Sequence, residues 1–223
     1  EDGAMNPDAA VGESVNCPSA MRVKPDSLDF RIPASGTSIR VIELVPGQII
    51  TRQKVMPAKV EQGGVVSDTG RDMIKLVVVE RHRATGNVGL GFVKGLGLKA
   101  GAIAGSVAHD SHNIIASGVA DADIRTAVEA VIQMQGGLAV VSDQRVVALL
   151  PLPIAGLMAD LSLETVRQKV DALNRAAADL GAELPDPFMS LSFLALPVIP
   201  ELKLTDKGLV DVNRFDHVPL FND

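Results

Sequence analysis

The 223-residue chain has no tryptophan and no tyrosine, and aromatic residues make up only 3% of it. A base-stacking platform for single-stranded nucleic acid is therefore excluded. A basic excess is missing too: Lys+Arg is 21, Asp+Glu is 27, and the formal net charge is −6. Nucleic-acid binding needs a cationic footprint to displace counterions, so no nucleic-acid partner is expected. The single cysteine, Cys17, can form neither an intrachain disulfide nor a cysteine-rich zinc site. That usage suits a reducing, cytoplasmic compartment. Long apolar runs are absent. Charge-free stretches such as 187–200 are broken by prolines and fall short of the ~20 residues that a bilayer requires, so no membrane partner is expected. The opening Glu1-Asp2-Gly3 is acidic rather than a secretory leader and reads as a cloning scar or as the cut end of a longer polypeptide. What the chain has in surplus is apolar character: 47% hydrophobic residues and a mean hydropathy of +0.24. That is ample for a packed core and excludes a disordered tail.

Residues 1–36 carry Pro7, Pro18, Pro25 and Pro33 among small residues and read as an irregular leader. Segment 38–51 suggests two short strands joined at Pro46-Gly47, and 54–64 a second pair ending at Gly63-Gly64. The run MIKLVVVE at 73–80 predicts a buried strand. A glycine-dense stretch, 86–105, carries further strands at 88–93 and 102–107. A helix is expected from Asp121 to Gly136-Gly137, with Ile124, Ala127, Val128, Val131 and Ile132 on one face. A hairpin follows, 138–142 and 145–150, around Asp143-Gln144. Ser162 opens a second helix that stops at Gly181. Segments 191–196 and 201–205 read as strands. The pattern predicts an α+β fold: mixed β-sheets with two main helices packed on them.

Chemistry concentrates in one short segment. His109-Asp110-Ser111-His112-Asn113 places five polar residues between apolar runs and holds two of the four histidines. Such a loop can ligate a metal through its His-x-x-His, can hydrogen-bond a ligand through imidazole and carboxylate, or can be a polar turn that satisfies its own backbone. Asp110 and His112 are the candidate catalytic groups, and all five residues are candidates for substrate binding. His82 and His217 lack metal-ligand spacing to each other, so no metal site is expected in this chain. Glu80-Arg81-His82 closes the buried strand and reads either as pointing into the same cleft as that loop, since ligand sites collect at strand ends, or, the favoured reading, as a solvated strand end. Gly89-Leu90-Gly91 resembles a dinucleotide loop only superficially. Its spacing is off by one and glycines continue where a helix should begin, so a close-packed turn region is expected. No Gly-x-Ser-x-Gly elbow and no His-x-Glu with Pro-Cys-x-x-Cys deaminase pattern is present.

Six longer strings resemble a family. VVVERH at 77–82, TGNVGLGFVKGLGLKAGAIA at 85–104 and SVAHDSHNII at 106–115 are similar to the C-terminal domain of bacterial adenine deaminases. So are LPLPIAGLM at 150–158, LSFLALPVIPELKLTDKGL at 191–209 and FDHVPLF at 215–221. The resemblance runs from about residue 28 to the end. It implies an enzyme of the amidohydrolase superfamily that hydrolyses adenine to hypoxanthine and ammonia in purine metabolism. It also implies a (β/α)₈ barrel, absent here, that carries a binuclear divalent metal centre of manganese, iron or zinc. The metal-bound water attacks C6 of the purine. Under this resemblance residues 1–36 are a leader plus the end of a preceding β-domain, and 37–223 is the adenine deaminase C-terminal domain. The implied partners are adenine, the barrel domain of the same enzyme and further copies in a homo-oligomer. No metal is expected on this chain alone, which is expected to be inactive and to cap the purine pocket through the 109–113 loop. Two other readings stay open: a non-catalytic oligomerisation or interaction module, and a stand-alone purine-binding domain. The proline-broken apolar stretches 146–159 and 187–200 read as surface that packs against the missing barrel.

Overall fold

The computed structural model describes residues 21–222, apart from 25 and 27. Cys17 and most of the expected leader lie outside the described residues. In chain order the elements are β1 (Ser38–Leu44), β2 (Thr51–Pro57), β3 (Val60–Glu61), β4 (Gly64–Val65), β5 (Met73–Val79), β6 (Val88–Lys94), β7 (Ala102–Gly105) and β8 (Ile114–Gly118). Then come α1 (Asp121–Gln133), β9 (Gly137–Ser142), β10 (Arg145–Pro151), α2 (Leu163–Asp179), α3 (Pro187–Ser192), β11 (Leu202–Thr205), β12 (Gly208–Asp211) and β13 (Asp216–Val218).

One sheet dominates, in the order β10-β9-β7-β8-β5-β6-β1-β2. All its pairings are antiparallel except β1 against β6. β5 lies inside this sheet and is buried along its whole length. Successive side chains of a strand face opposite ways. Ile74, Leu76 and Val78 join the core beneath α2, α3 and the small sheet β11-β12-β13, while Val77 and Val79 join the core beneath α1. Burial on both faces explains why this strand is continuously apolar rather than alternating. The fold is α+β with mixed sheets, as expected, and the described residues contain no barrel.

α1 begins at Asp121 as the sequence suggests, but Ala120 is its N-cap and supplies no side-chain bond. α2 does start from a capped turn: Ser162 Oγ accepts from the Thr165 N–H at 3.3 Å. The expected strand at 191–196 is a correction. Those residues form the end of α3 and a 3-10 turn (Phe193–Ala195). The cause is Asp186-Pro187, where Asp186 Oδ1 accepts from the Met189 N–H at 3.0 Å and the proline occupies the first turn. This also changes the reading of the apolar stretch 187–200. Phe188, Leu191, Leu194, Ala195 and Leu196 are buried in this domain's own core, and only Met189 and Val198 are exposed large apolar residues there. From the other stretch, Val146, Val147, Leu149 and Met158 are exposed. The last residues of the expected leader are also core, with Leu28, Phe30 and Ile32 buried.

Candidate functional site

One end of the large sheet collects the loops that matter. β5, β7 and β10 finish there, and β6, β8 and β9 begin there, as the pairs Val79 with Val88, Val79 with Ile114, and Pro151 with Gly137 establish. Loops 80–87, 106–113 and 152–162 therefore lie side by side. The β11–β12 turn joins them because β6 carries no side chain at Gly89. A Cβ there would sit 1.8 Å from the Thr205 carbonyl oxygen, so only glycine lets the turn settle on the strand. The glycine-dense stretch is thus a close-packing device, as expected.

The five residues of loop 109–113 divide by environment. Asn113 is 3% exposed and anchors the loop. Its Nδ2 donates to Asp206 Oδ1 at 3.2 Å, and its Oδ1 accepts from the Arg81 N–H at 3.4 Å. Asp206 Oδ2 accepts from Asn87 Nδ2 at 3.0 Å, so one carboxylate ties three loops together. Asp110 and Ser111 are exposed, and His109 and His112 are half-buried. The His109 N–H donates to the Ser192 carbonyl at 3.1 Å, and its ring meets Phe193 edge-on with centroids 4.7 Å apart. The His109 and His112 rings are 5.6 Å apart, also edge-on. His82 Nε2 lies 2.8 Å from the Ser111 carbonyl oxygen, which makes it the donor. The structure thus brings His82 to the loop, while His217 sits on β13 beside the Leu209 carbonyl.

Burial pushes the His112 imidazole below its ordinary value, and the neighbouring His109 and Arg81 charges push the same way against Asp110. His112 is accordingly neutral at pH 7, able to donate at one nitrogen and accept at the other. Its Nδ1 is buried with no partner among the described residues.

The expected solvated strand end is a second correction. Arg81 is 1% exposed and Glu80 8%. Burial alone would raise the Glu80 carboxyl, but the N–H groups of Thr85, Arg83 and His82 outweigh it and hold it below the usual carboxylate range. Glu80 Oε1 accepts from His82 at 2.5 Å and Arg83 at 2.7 Å, and Oε2 accepts from Thr85 at 3.0 Å. It is a loop organiser, with its oxygens spent on backbone N–H groups and the Thr85 hydroxyl.

Comparison with known proteins decides the family. The profile of the adenine deaminase C-terminal domain matches residues 48–216. The chain is 56% identical over 203 residues to an adenine deaminase of Desulfatibacillum aliphaticivorans, covering 91% of this chain and 36% of that protein. It is 52% identical over 202 residues to one of Dehalococcoides mccartyi, covering 90% and 35%. A third, from Methanothrix thermoacetophila, is 56% identical over 192 residues, covering 86% and 34%. The chain belongs to the adenine deaminase C-terminal domain family.

This domain spans about a third of the length of the curated relatives it matches. Among the described residues nothing fits a metal centre. No group of three or more His, Cys, Asp or Glu side chains able to hold an ion occurs among the described residues. Of the carboxylates around the histidines, Glu80 and Asp206 are engaged by N–H donors, while Asp110 is exposed on the loop itself. Sequence reasoning missed Asp206, Asn87 and Phe193 as members of this loop cluster. They are 80 or more residues from the loop, or in another element's turn, and no local pattern marks them. Arg81 was legible as part of a charged triplet but not as a buried group.

Proposed function

We propose that this domain is the C-terminal part of an adenine deaminase that hydrolyses adenine to hypoxanthine and ammonia, and that loop 109–113 closes the purine pocket. The observation that carries the reading is the loop itself. Its backbone is fixed by Asn113, Asp206 and Ser192, while Asp110 and Ser111 remain exposed and His112 is neutral. Preorganised polar groups on a rigid rim are what transition-state stabilisation requires. The metal centre that activates the attacking water belongs, in this reading, to the rest of the polypeptide. Here Asp110 supplies a carboxylate and His112 an imidazole toward the purine edge, and closing the rim excludes water. Residues 37–223 form the domain, and 1–36 lead in from the preceding part. Such an enzyme acts in the cytoplasm and as an oligomer.

The test is Asp110→Ala and His112→Ala in the intact enzyme. Each is expected to lower kcat/KM by about 10- to 100-fold. Unchanged kcat/KM in both variants makes the loop a structural turn. One observation favours a second reading, purine binding without chemistry. A mostly apolar cavity of about 280 Å³ lies between α2, α3 and the sheet, with Asn174 Oδ1 unpartnered beside it. Adenine binding by this chain that Asn174→Ala abolishes is the result that selects it.

A further inference from the structure

We propose that Arg81 is the positioning residue of this site: its buried guanidinium ties loop 109–113 to the turn 153–158, so that the two make one substrate wall. This rests on the purine-pocket reading above. The guanidinium Nε donates to the His112 carbonyl, and Nη2 donates to the Ala155 carbonyl at 3.0 Å. The main chain of Arg81 is held as well, its carbonyl accepting from the Arg22 N–H at 2.7 Å. The side chain is enclosed, and its partners are main-chain carbonyls rather than a carboxylate. An enclosed guanidinium is costly, and here Nε and Nη2 are paired while Nη1 has no partner among the described residues. That geometry fixes two loops far apart in sequence.

The second loop is shaped to receive it. Ile154 and Met158 exchange backbone hydrogen bonds at 3.1 and 3.2 Å, which closes the turn on itself. Gly156 has φ +75°, and a Cβ there would lie 2.8 Å from both terminal guanidinium nitrogens. The backbone at 155–156 rests directly on Arg81, an approach that only glycine permits. Across the guanidinium, His112 has φ 50°, which directs its carbonyl into the Nε donor. Loop 109–113 contributes polar groups. The turn contributes Met158, 58% exposed. A purine needs both, hydrogen bonds at its edge and a polarisable apolar surface at its face.

The experiment uses Arg81→Met, Arg81→Lys and Gly156→Ala, with Arg83→Met as the control at an exposed neighbour. In the 223-residue chain, His112 is titrated by NMR and the amides of 109–113 are followed by hydrogen exchange. The charged and titratable groups acting on His112 are His109 and Asp110 on its own loop, and Arg81 and His82 from the β5–β6 connection. Arg81→Met is expected to raise the His112 pKa and to speed exchange in the loop; Arg83→Met leaves both unchanged. In the intact enzyme kcat/KM is expected to fall about 10- to 100-fold in Arg81→Met, as misplacement of a site by an ångström does. Arg81→Lys recovers part of this, since an ammonium can hold one carbonyl but not span the fork. Gly156→Ala keeps the charge yet lifts the turn, and is expected to lower kcat/KM while leaving the protein folded by thermal melt. If the loop's exchange and the His112 pKa stay unchanged in folded Arg81→Met, the tie is wrong, whatever Asp110→Ala shows. If the loop loosens but kcat/KM holds, with Asp110→Ala and His112→Ala also silent, the purine-pocket reading has failed and the proposal falls with it.

Discussion

Lys203 lies on β11 fully enclosed, with its Nζ donating to the Ile49 carbonyl at 3.0 Å. Burial pushes its ammonium down to about 8. Between that value and the ordinary Lys range the unfolded chain binds more protons than the folded one, so this group makes stability rise with pH. Below pH 8 the penalty of enclosing the cation is fully present. Relative to Lys203→Met, the wild-type chain is expected to gain about 2 kcal/mol between pH 7.5 and 9.5, measured by urea unfolding. A difference that stays flat across this window contradicts the assignment. Lys75 is equally enclosed and has a counterion, Asp121 Oδ1 at 2.5 Å, beside the Phe30 carbonyl at 2.9 Å. At this scale the sequence was least informative. Arg81 and Lys203 look like ordinary surface cations, and only their neighbours from distant segments reveal them as buried; Lys75 falls within the expected buried strand, but its partners Asp121 and Phe30 are not written there.

Elements were more legible. The helix at 121–133, the hairpin at 137–151 and the strand at 73–79 follow from periodicity and turn residues, because each depends on contacts within or next to itself. The misread element, 191–196, is a short helix whose apolar residues are buried on several sides, which erases the periodic signal. Gly89 is where one element decides the placement of another. Gly89→Ala is expected to push the β11–β12 turn off β6, breaking the Asp206 bonds to Asn87 and Asn113 along with it. A loss of at least about 3 kcal/mol in unfolding free energy is expected, in the range of severe overpacking, together with faster amide exchange in loop 109–113. Gly64→Ala is the control, since its backbone is not in the left-handed region and the nearest atom to its Cβ lies at 3.5 Å. Equal stability of the two variants would contradict the packing role of Gly89.

For the whole molecule, the relevant fact is size: the chain spans about a third of its relatives. Val146, Val147 and Leu149 are exposed on β10 at one edge of the large sheet, and Leu161 and Leu163 are exposed around the start of α2. The purified chain, supplied with adenine and manganese, is expected to release no hypoxanthine. Metal-dependent turnover by it alone would overturn the division of labour proposed here. The apolar surplus of the sequence now has two destinations. Most of it fills the domain's own cores above and below the sheet, and a smaller part is exposed along segment 146–163.

The sequence by itself determined the family, through long strings that resemble one enzyme domain, the α+β class, through periodicity, and the polar loop 109–113, through its contrast with apolar flanks. Each of these is written in neighbouring residues. The tertiary structure alone decided which polar groups meet. Asp206 reaches Asn113 across 93 positions, and Arg81 reaches Ala155 across 74. Such pairings are set by sheet order and by where a glycine lets backbones touch, and no local pattern along the chain encodes them.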